Sequence, residues 1–480
     1  MGCEHTEPVP KAEARPLETE SSARPSSAQA PPQAPDATQP ALHPAAAAAD
    51  LIPTEAPRVY GLTRNVWIRS APQSDVQWIG SLWLGGSVKV RGPERVPGAG
   101  CADVWVPIQP RGWVCVDDRR ATMNAEHPAL VRLYPERPRT DTAWPHQYAT
   151  APGDVTRYRL PPEVVPGAAG ALEAARQLPF PLAGDGAPDL PPGLYEGRTK
   201  IVARSALAYV RELPLGEHTY LLMPDLSFVR RDRVELESPS TFQGVELRGE
   251  QRLPLAFVTG EGARPYRWSP SGVPAAAGSP WARGTAVRLS GQEREVDGET
   301  YYELRGSQDW LRKEDAVVPE PSAKPWGADA PPPDATWLEA SILGGWLVAF
   351  VGSEPVYATL ISAGRGGTPV ADRDPVSTAS TPTGRFFITG KFATATMESS
   401  TTPIVHGDVP WTQNFSGPHA IHSAYWHDDF GKLKSAGCVN VSPLDGKWLF
   451  AFTQPKVPDG WHAVKHIPRD GPATLVVLHE

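Results

Sequence analysis

No apolar run in this sequence approaches the roughly 18–20 residues that cross a bilayer as a helix, which argues against an integral membrane protein of the helical kind. Positive charge is in deficit: 46 Lys and Arg stand against 54 Asp and Glu, for a formal net charge of −8. Nucleic-acid binders neutralise phosphates with an excess of Lys and Arg, so no nucleic-acid partner is expected. Long stretches free of proline are scarce, because 55 of the 480 residues are proline. Proline interrupts helices, and a mostly helical protein is thereby disfavoured. Aromatic residues are missing from residues 1–57, which hold 11 prolines and many alanines. Such a segment buries too little apolar surface to offset its chain entropy, and reads as a disordered tether.

Cysteine is scarce too: Cys3, Cys101, Cys115 and Cys438. Cys101 and Cys115 flank a Trp-rich stretch and can close a small loop as a disulfide, which fits an oxidising compartment; the alternative is a pair of buried thiols. Cys3 stands in M-G-C-E-H-T. No charged stretch with an apolar core precedes it, so an intact leader is not expected in the sequence as it stands. M-G-C fits the end of a lipoprotein leader, with Cys3 as the lipidated residue, and M-G-x-x-x-T also fits a myristoylation pattern. Cys438 is left without a partner, as a buried filler or a reactive thiol.

What is abundant is short, alternating, β-like sequence. Residues 58–118 contain V-W-I-R-S-A-P, a polar turn, then W-I-G-S-L-W-L-G-G-S-V-K-V. These read as strands of a small barrel, and the stretch resembles a bacterial Src-homology-3-like module, a family that binds wall peptides or serves as a spacer. Residues 119–282 form a β-rich region of uncertain organisation, with one expected helix over Pro166–Leu178. Residues 283–318 read as a second small barrel, with Asp297 and Gly298 as a hairpin turn. Residues 319–335 read as a Pro- and Ala-rich linker. Residues 336–480 open with W-L-E-A-S-I-L-G-G-W-L-V-A-F, which alternates around Gly344 and Gly345. One helix is signalled there, at S-P-L-D-G-K-W-L-F-A-F, with Ser442 as N-cap, Pro443 in the first turn and Asp445 at the positive helix end. The fold class expected is mainly β.

The chemistry concentrates in A-I-H-S-A-Y-W-H-D-D-F-G-K-L-K-S-A-G-C-V-N, where 15 residues separate His422 from Cys438. A thiol near its ordinary pKa is only a few per cent thiolate at neutral pH, and an adjacent imidazole can take its proton. A third group must orient that imidazole and fix its tautomer. Ala436 and Gly437 permit a tight turn that points backbone N–H groups at one spot, as a tetrahedral oxyanion requires. A zinc site built from His419, His422, His427 and their acidic neighbours is the metal alternative. His419 and His422 lie three apart on an expected strand and so point to opposite faces, which disfavours it. His427, Asp428 and Asp429 are expected in a solvated loop.

This block resembles the L,D-transpeptidases, the YkuD-like catalytic domain. Their signature is a His, a variable stretch, then S/T-H-G-C-h-N with h hydrophobic. Here these are His422 with Ser423, then Ser435, Ala436, Gly437, Cys438, Val439 and Asn440. T-P-T-G at 381–384, D-V-P-W at 408–411 and A-Y-W-H-D-D-F-G at 424–431 extend the likeness. The resemblance implies a YkuD-like β-sandwich over residues 336–480. It makes Cys438 the nucleophile and His422 the base, oriented by the Ser423 carbonyl. The amides of Gly437 and Cys438 would bind the oxyanion, and Tyr425, Trp426, Ser435 and Asn440 would shape the pocket. It implies peptidoglycan stem peptides as partners, no cofactor, and a periplasmic or envelope location, lipid-anchored if Cys3 is modified. The reaction implied is a 3→3 cross-link through a cysteine thioester. The alternatives are L,D-carboxypeptidase action, attachment of a protein to the wall, or a wall-binding protein whose catalytic domain has decayed. Ala436 departs from the pattern, which has His there, and keeps the decayed reading open.

Overall fold

The alternating segments on either side of Gly344 and Gly345 pair as an antiparallel hairpin, Thr336–Ser341 with Trp346–Val351, in the computed structural model. The structure describes residues 51–480 apart from 185, 195–196, 239, 328 and 399–401. Cys3 and most of the tether expected over residues 1–57 lie outside the described residues.

The hairpin is the centre of a six-stranded sheet. Glu354–Leu360 extends it on one side and Leu475–His479 joins in parallel on the other; Val245–Glu246 and Gly384–Phe387 form the edges. The facing layer is built from Gly390–Glu398, Val405–Ser416, His419–Ser423 and Val439–Val441. Leu338, Ala340, Leu347, Ala349 and Val476 from the first layer meet Phe415, Ile421, Val439 and Val441 from the second. Burying one face of each sheet against the other supplies the main apolar stabilisation of this part. This part of the chain is thus mainly β, two sheets packed face to face.

Helix Pro443–Phe452 packs beside this core through Leu449. Ser442 caps it, its Oγ accepting from Asp445 N–H at 3.0 Å. Asp445 does more than face the helix dipole. Its carboxylate is fully buried and accepts from Tyr357 Oη at 2.6 Å, Thr359 Oγ1 at 2.5 Å and the Gly244 amide at 2.8 Å.

The N-terminal strands do not stand apart. Arg58–Gly61, Val66–Arg69, Trp78–Leu82, Ser87–Lys89, Val104–Pro107, Trp113–Val116 and Ala121–Thr122 enclose a core of Val59, Ile68, Leu82, Val106 and Val114. A disulfide joins Cys101 to Cys115, with the two Cα atoms 5.5 Å apart. Trp461, Val464 and Ile467 from the C-terminal block enter the same core. Strand Trp78–Leu82 pairs with Ala463–Lys465, and Ala206–Tyr209 pairs with Val405–Ser416. One twelve-stranded sheet therefore runs through three sequence segments that read as separate modules.

The expected helix over 166–178 shrinks to Ala171–Ala175. Gly167 and Gly170 sit at φ of 95° and 73°, a left-handed conformation that ends a right-handed helix. The second small module also begins earlier than residue 283. Leu255–Val258 pairs with both Ala286–Val296 and Ala316–Val317, so its seven-stranded sheet takes in residues from 255 onward. Asp297 and Gly298 turn its long hairpin, at φ of 54° and 83°. Among the described residues no helix is long and apolar enough to cross a membrane.

Candidate active site

Strands His419–Ser423 and Val439–Val441 run parallel, with Ile421 opposite Val439, His422 opposite Asn440 and Ser423 opposite Val441. Side chains alternate between faces along a strand. Ile421, Val439 and Val441 enter the sandwich core, so His422 and Asn440 leave on the other face. Cys438 precedes that strand by one residue and falls on the side of Asn440 by the same alternation. Register, not sequence spacing, thus sets the strand that follows Cys438 beside the strand that carries His422.

His422 is buried, and its Nδ1 lies 3.1 Å from the Ser423 carbonyl oxygen. A carbonyl only accepts, so Nδ1 carries the proton and the neutral ring keeps its lone pair on Nε2. Burial pulls His422 down to about 4, with the Ser423 hydrogen bond opposing. Burial pushes the Cys438 thiol up to about 11, against the Ala420 amide that favours the thiolate. Sγ also lies 3.9 Å from the Pro418 carbonyl oxygen. Each group is held in its neutral form near pH 7. The resting pair is thiol and imidazole, not thiolate and imidazolium.

The turn before the sulfur is held by side-chain hydrogen bonds at Gly437 and at the Cys438 carbonyl. The Gly437 amide donates to Ser435 Oγ at 3.0 Å, and Ser435 Oγ donates to the Cys438 carbonyl at 2.6 Å. Thr381 Oγ1 donates to the Gly437 carbonyl at 2.9 Å and accepts from the Gly364 amide at 2.8 Å. Of the two amides expected to face an oxyanion, that of Gly437 is therefore already engaged. The Cys438 amide has no hydrogen bond in the structure among the described residues, and is an open donor beside the sulfur. Gly437 sits at φ 129°, and a Cβ there would lie 2.9 Å from both His419 Nε2 and the Ser380 carbonyl oxygen. Only glycine fits.

The pocket-shaping residues divide. Trp426 is half-buried, its ring 5.8 Å from that of His422 and stacked on His406 at 4.1 Å. Asn440 is buried with Nδ2 placed 3.1 Å from His427 Nε2. Ser435 serves the turn. Tyr425 is a correction: it is buried, stacks on Tyr148 at 3.8 Å, and donates to the Gly407 carbonyl at 2.8 Å. It belongs to the core shared with the segment around residue 148, because its ring is completely covered there. His427 is a second correction. Instead of standing in a solvated loop, it turns inward against Asn440 and Phe430, and burial lowers it to about 4. Asp428 and Asp429 stay at the surface of that loop, Asp429 paired with Lys434 at 2.7 Å.

His406 and Thr381 went unassigned at the level of sequence. Thr381 opens T-P-T-G, so a signal existed. His406 had none; it reaches Trp426 only because strand Val405–Ser416 folds alongside. Among the described residues no group of three or more His, Cys, Asp or Glu is placed to hold a metal ion.

Residues 345–465 match the family model of the YkuD L,D-transpeptidase catalytic domain. A search of curated proteins finds no match. Among solved structures, an L,D-transpeptidase from Stackebrandtia nassauensis is 17% identical with a TM-score of 0.21, over 32% of this chain and 60% of that one. The C442S mutant of the Enterococcus faecium L,D-transpeptidase is 21% identical with a TM-score of 0.23, over 30% of this chain and 50% of that one. An L,D-transpeptidase from Xylanimonas cellulosilytica is 21% identical with a TM-score of 0.22, over 33% of this chain and 65% of that one. This chain thus spans less than two thirds of the length of each of these three.

Proposed function

We propose that this protein is a peptidoglycan L,D-transpeptidase that works through a thioester on Cys438. The observation that supports the reading is the register that sets His422 opposite Asn440, two residues beyond Cys438, with His422 Nδ1 beside the Ser423 carbonyl and Nε2 left as base. The match of residues 345–465 to the catalytic-domain family supports the same assignment.

In this reading Cys438 Sγ attacks the carbonyl of the third stem-peptide residue while His422 Nε2 takes the thiol proton. The oxyanion meets the Cys438 amide, an open donor beside the sulfur. The tetrahedral adduct collapses, and the imidazolium returns its proton to the departing amine of the terminal D-alanine. An amine of a neighbouring stem then attacks the thioester, gives its proton to His422 and releases the thiol. A 3→3 cross-link results. Water in place of the amine makes the same site a carboxypeptidase, and an amine on a protein would attach that protein to the wall.

The cell envelope is the compartment in which the polymer substrate lies, and a Cys101–Cys115 disulfide is chemically at home there. The small β modules around residues 58–118 and 255–318 would act as spacers or wall contacts. Trp426 would line the donor groove beside His422, and Asn440 would set its floor.

Mass analysis of products from purified tetrapeptide-stem muropeptides tests the proposal. Cross-linked dimers short of one D-alanine are expected. Unchanged muropeptides would overturn it in favour of a wall-binding protein with a decayed site.

A further inference from the structure

A second imidazole meets the catalytic turn from the opposite side. His419 lies three residues before His422 on the same strand, so it leaves the sheet on the other face. It is 6% exposed. Its Nδ1 lies 3.1 Å from the Ser416 carbonyl oxygen, which fixes the proton on Nδ1 and leaves a lone pair on Nε2 in the neutral ring. Nε2 is buried without a hydrogen-bond partner among the described residues. Stepping back two residues from the Ile421–Val439 pair places His419 across from Gly437. The contact is direct: the space a Gly437 Cβ would need is filled by His419 Nε2 at 2.9 Å and Cδ2 at 3.1 Å. An orphaned buried nitrogen costs free energy, so a ring retained here needs a reason.

We infer that His419 is a positioning residue for the acyl transfer, acting through Gly437 on the Cys438 amide. The inference rests on the transpeptidase reading above. The turn is gripped from the front by Ser435 and Thr381, which bind the Gly437 amide, the Gly437 carbonyl and the Cys438 carbonyl. Thr381 holds the peptide plane between Gly437 and Cys438 by its carbonyl alone, so the amide end keeps the freedom to tilt about that one bond. The His419 ring, anchored to Ser416, closes the back of Gly437 and stops that motion. The Cys438 N–H then stays aimed at the site of the developing oxyanion. Ala436, with its side chain exposed, offers no such ring; the wedge comes from across the strand pair instead.

The test compares wild type, His419→Ala and His419→Phe in the full chain. The phenyl ring keeps the bulk of the wedge but loses the anchor to Ser416, and it serves where the alanine variant fails to fold. Both variants are expected to lower kcat on a tetrapeptide stem, and the rate of acylation by a carbapenem, by about tenfold to a hundredfold. KM should stay unchanged, and so should the pH profile of Cys438 alkylation by iodoacetamide, because sulfur and His422 are untouched. Unimpaired kcat in a folded variant overturns the inference. A rise in KM alone, or a shifted alkylation profile, overturns it too, since either assigns His419 to binding or to acid–base work. A wild type that fails to turn over the stem sinks the transpeptidase reading, whereas an active wild type beside equally active variants sinks only this inference.

Discussion

His422 and Asn440 stand directly opposite one another on adjacent parallel strands. Two residues upstream of Asn440, on the same face, comes Cys438. A shift of one residue in this register would turn the sulfur into the core and bring Gly437 to the imidazole's side. The geometry of the site is thus a property of sheet pairing, secured by Ile421, Val439 and Val441 in the core between the layers.

Replacing Cys438 by Ser should abolish turnover and remove the covalent carbapenem adduct, leaving the fold intact. Intact-mass measurement checks this: one adduct per chain in wild type, none in the variant. An adduct that survives the substitution would place the nucleophile elsewhere.

The neutral resting pair has a pH signature. With the thiol near 11 and His422 near 4, the thiolate fraction at pH 7 is on the order of one in ten thousand. Alkylation by iodoacetamide, which needs thiolate, should rise about tenfold per pH unit from 7 to 10 without a neutral plateau. Acylation by substrate uses the neutral base. Its kcat/KM should hold level through neutral pH and fall only as His422 protonates near 4, not near 6.5. A thiol that alkylates at its full rate at pH 6 would mean a preformed ion pair.

Asp445→Ala should destabilise the fold without touching the chemistry. It strips the acceptor from Tyr357 Oη, Thr359 Oγ1 and the Gly244 amide, all in the interior. Orphaned buried donors cost about 1–3 kcal/mol each before relaxation, so a loss of about 3 kcal/mol or more in urea denaturation is expected. A midpoint equal to that of wild type would mean water replaces the carboxylate.

Residues 336–480 expressed alone should be far less stable than the full chain. Ala463–Lys465 would lose its partner Trp78–Leu82, and Val405–Ser416 would lose Ala206–Tyr209. Trp461, Val464, Ile467 and Tyr425 would lose their cover, at about 1.5–3 kcal/mol for each large apolar side chain exposed. Thermal unfolding of the two proteins side by side checks this; equal midpoints would show that the composite sheet adds nothing.

Gly437→Ala should cost activity more than stability. The new Cβ meets His419 Nε2 and the Ser380 carbonyl at 2.9 Å, on a backbone at φ 129°. The turn must shift by several tenths of an ångström, enough to move the Cys438 amide off target, with strain of about 1–3 kcal/mol. Wild-type kcat in this variant would show that the aim of that amide does not matter.

By itself the sequence determined the local and the periodic. The alternation around Gly344 and Gly345, the Ser442 cap and the Asp297–Gly298 turn are short-range choices written in residue type, and all three appear in the fold. The motif singled out Cys438 and His422, and the register of their strands sets His422 opposite Asn440, two residues beyond Cys438. Only tertiary structure decided the rest. It put Tyr425 in a core instead of a pocket, turned His427 inward, brought His406 and His419 to the site, and joined three apparent modules into one sheet. Those outcomes depend on which strand lies beside which, and strand pairing joins residues hundreds of positions apart, where no local pattern in the chain carries the information.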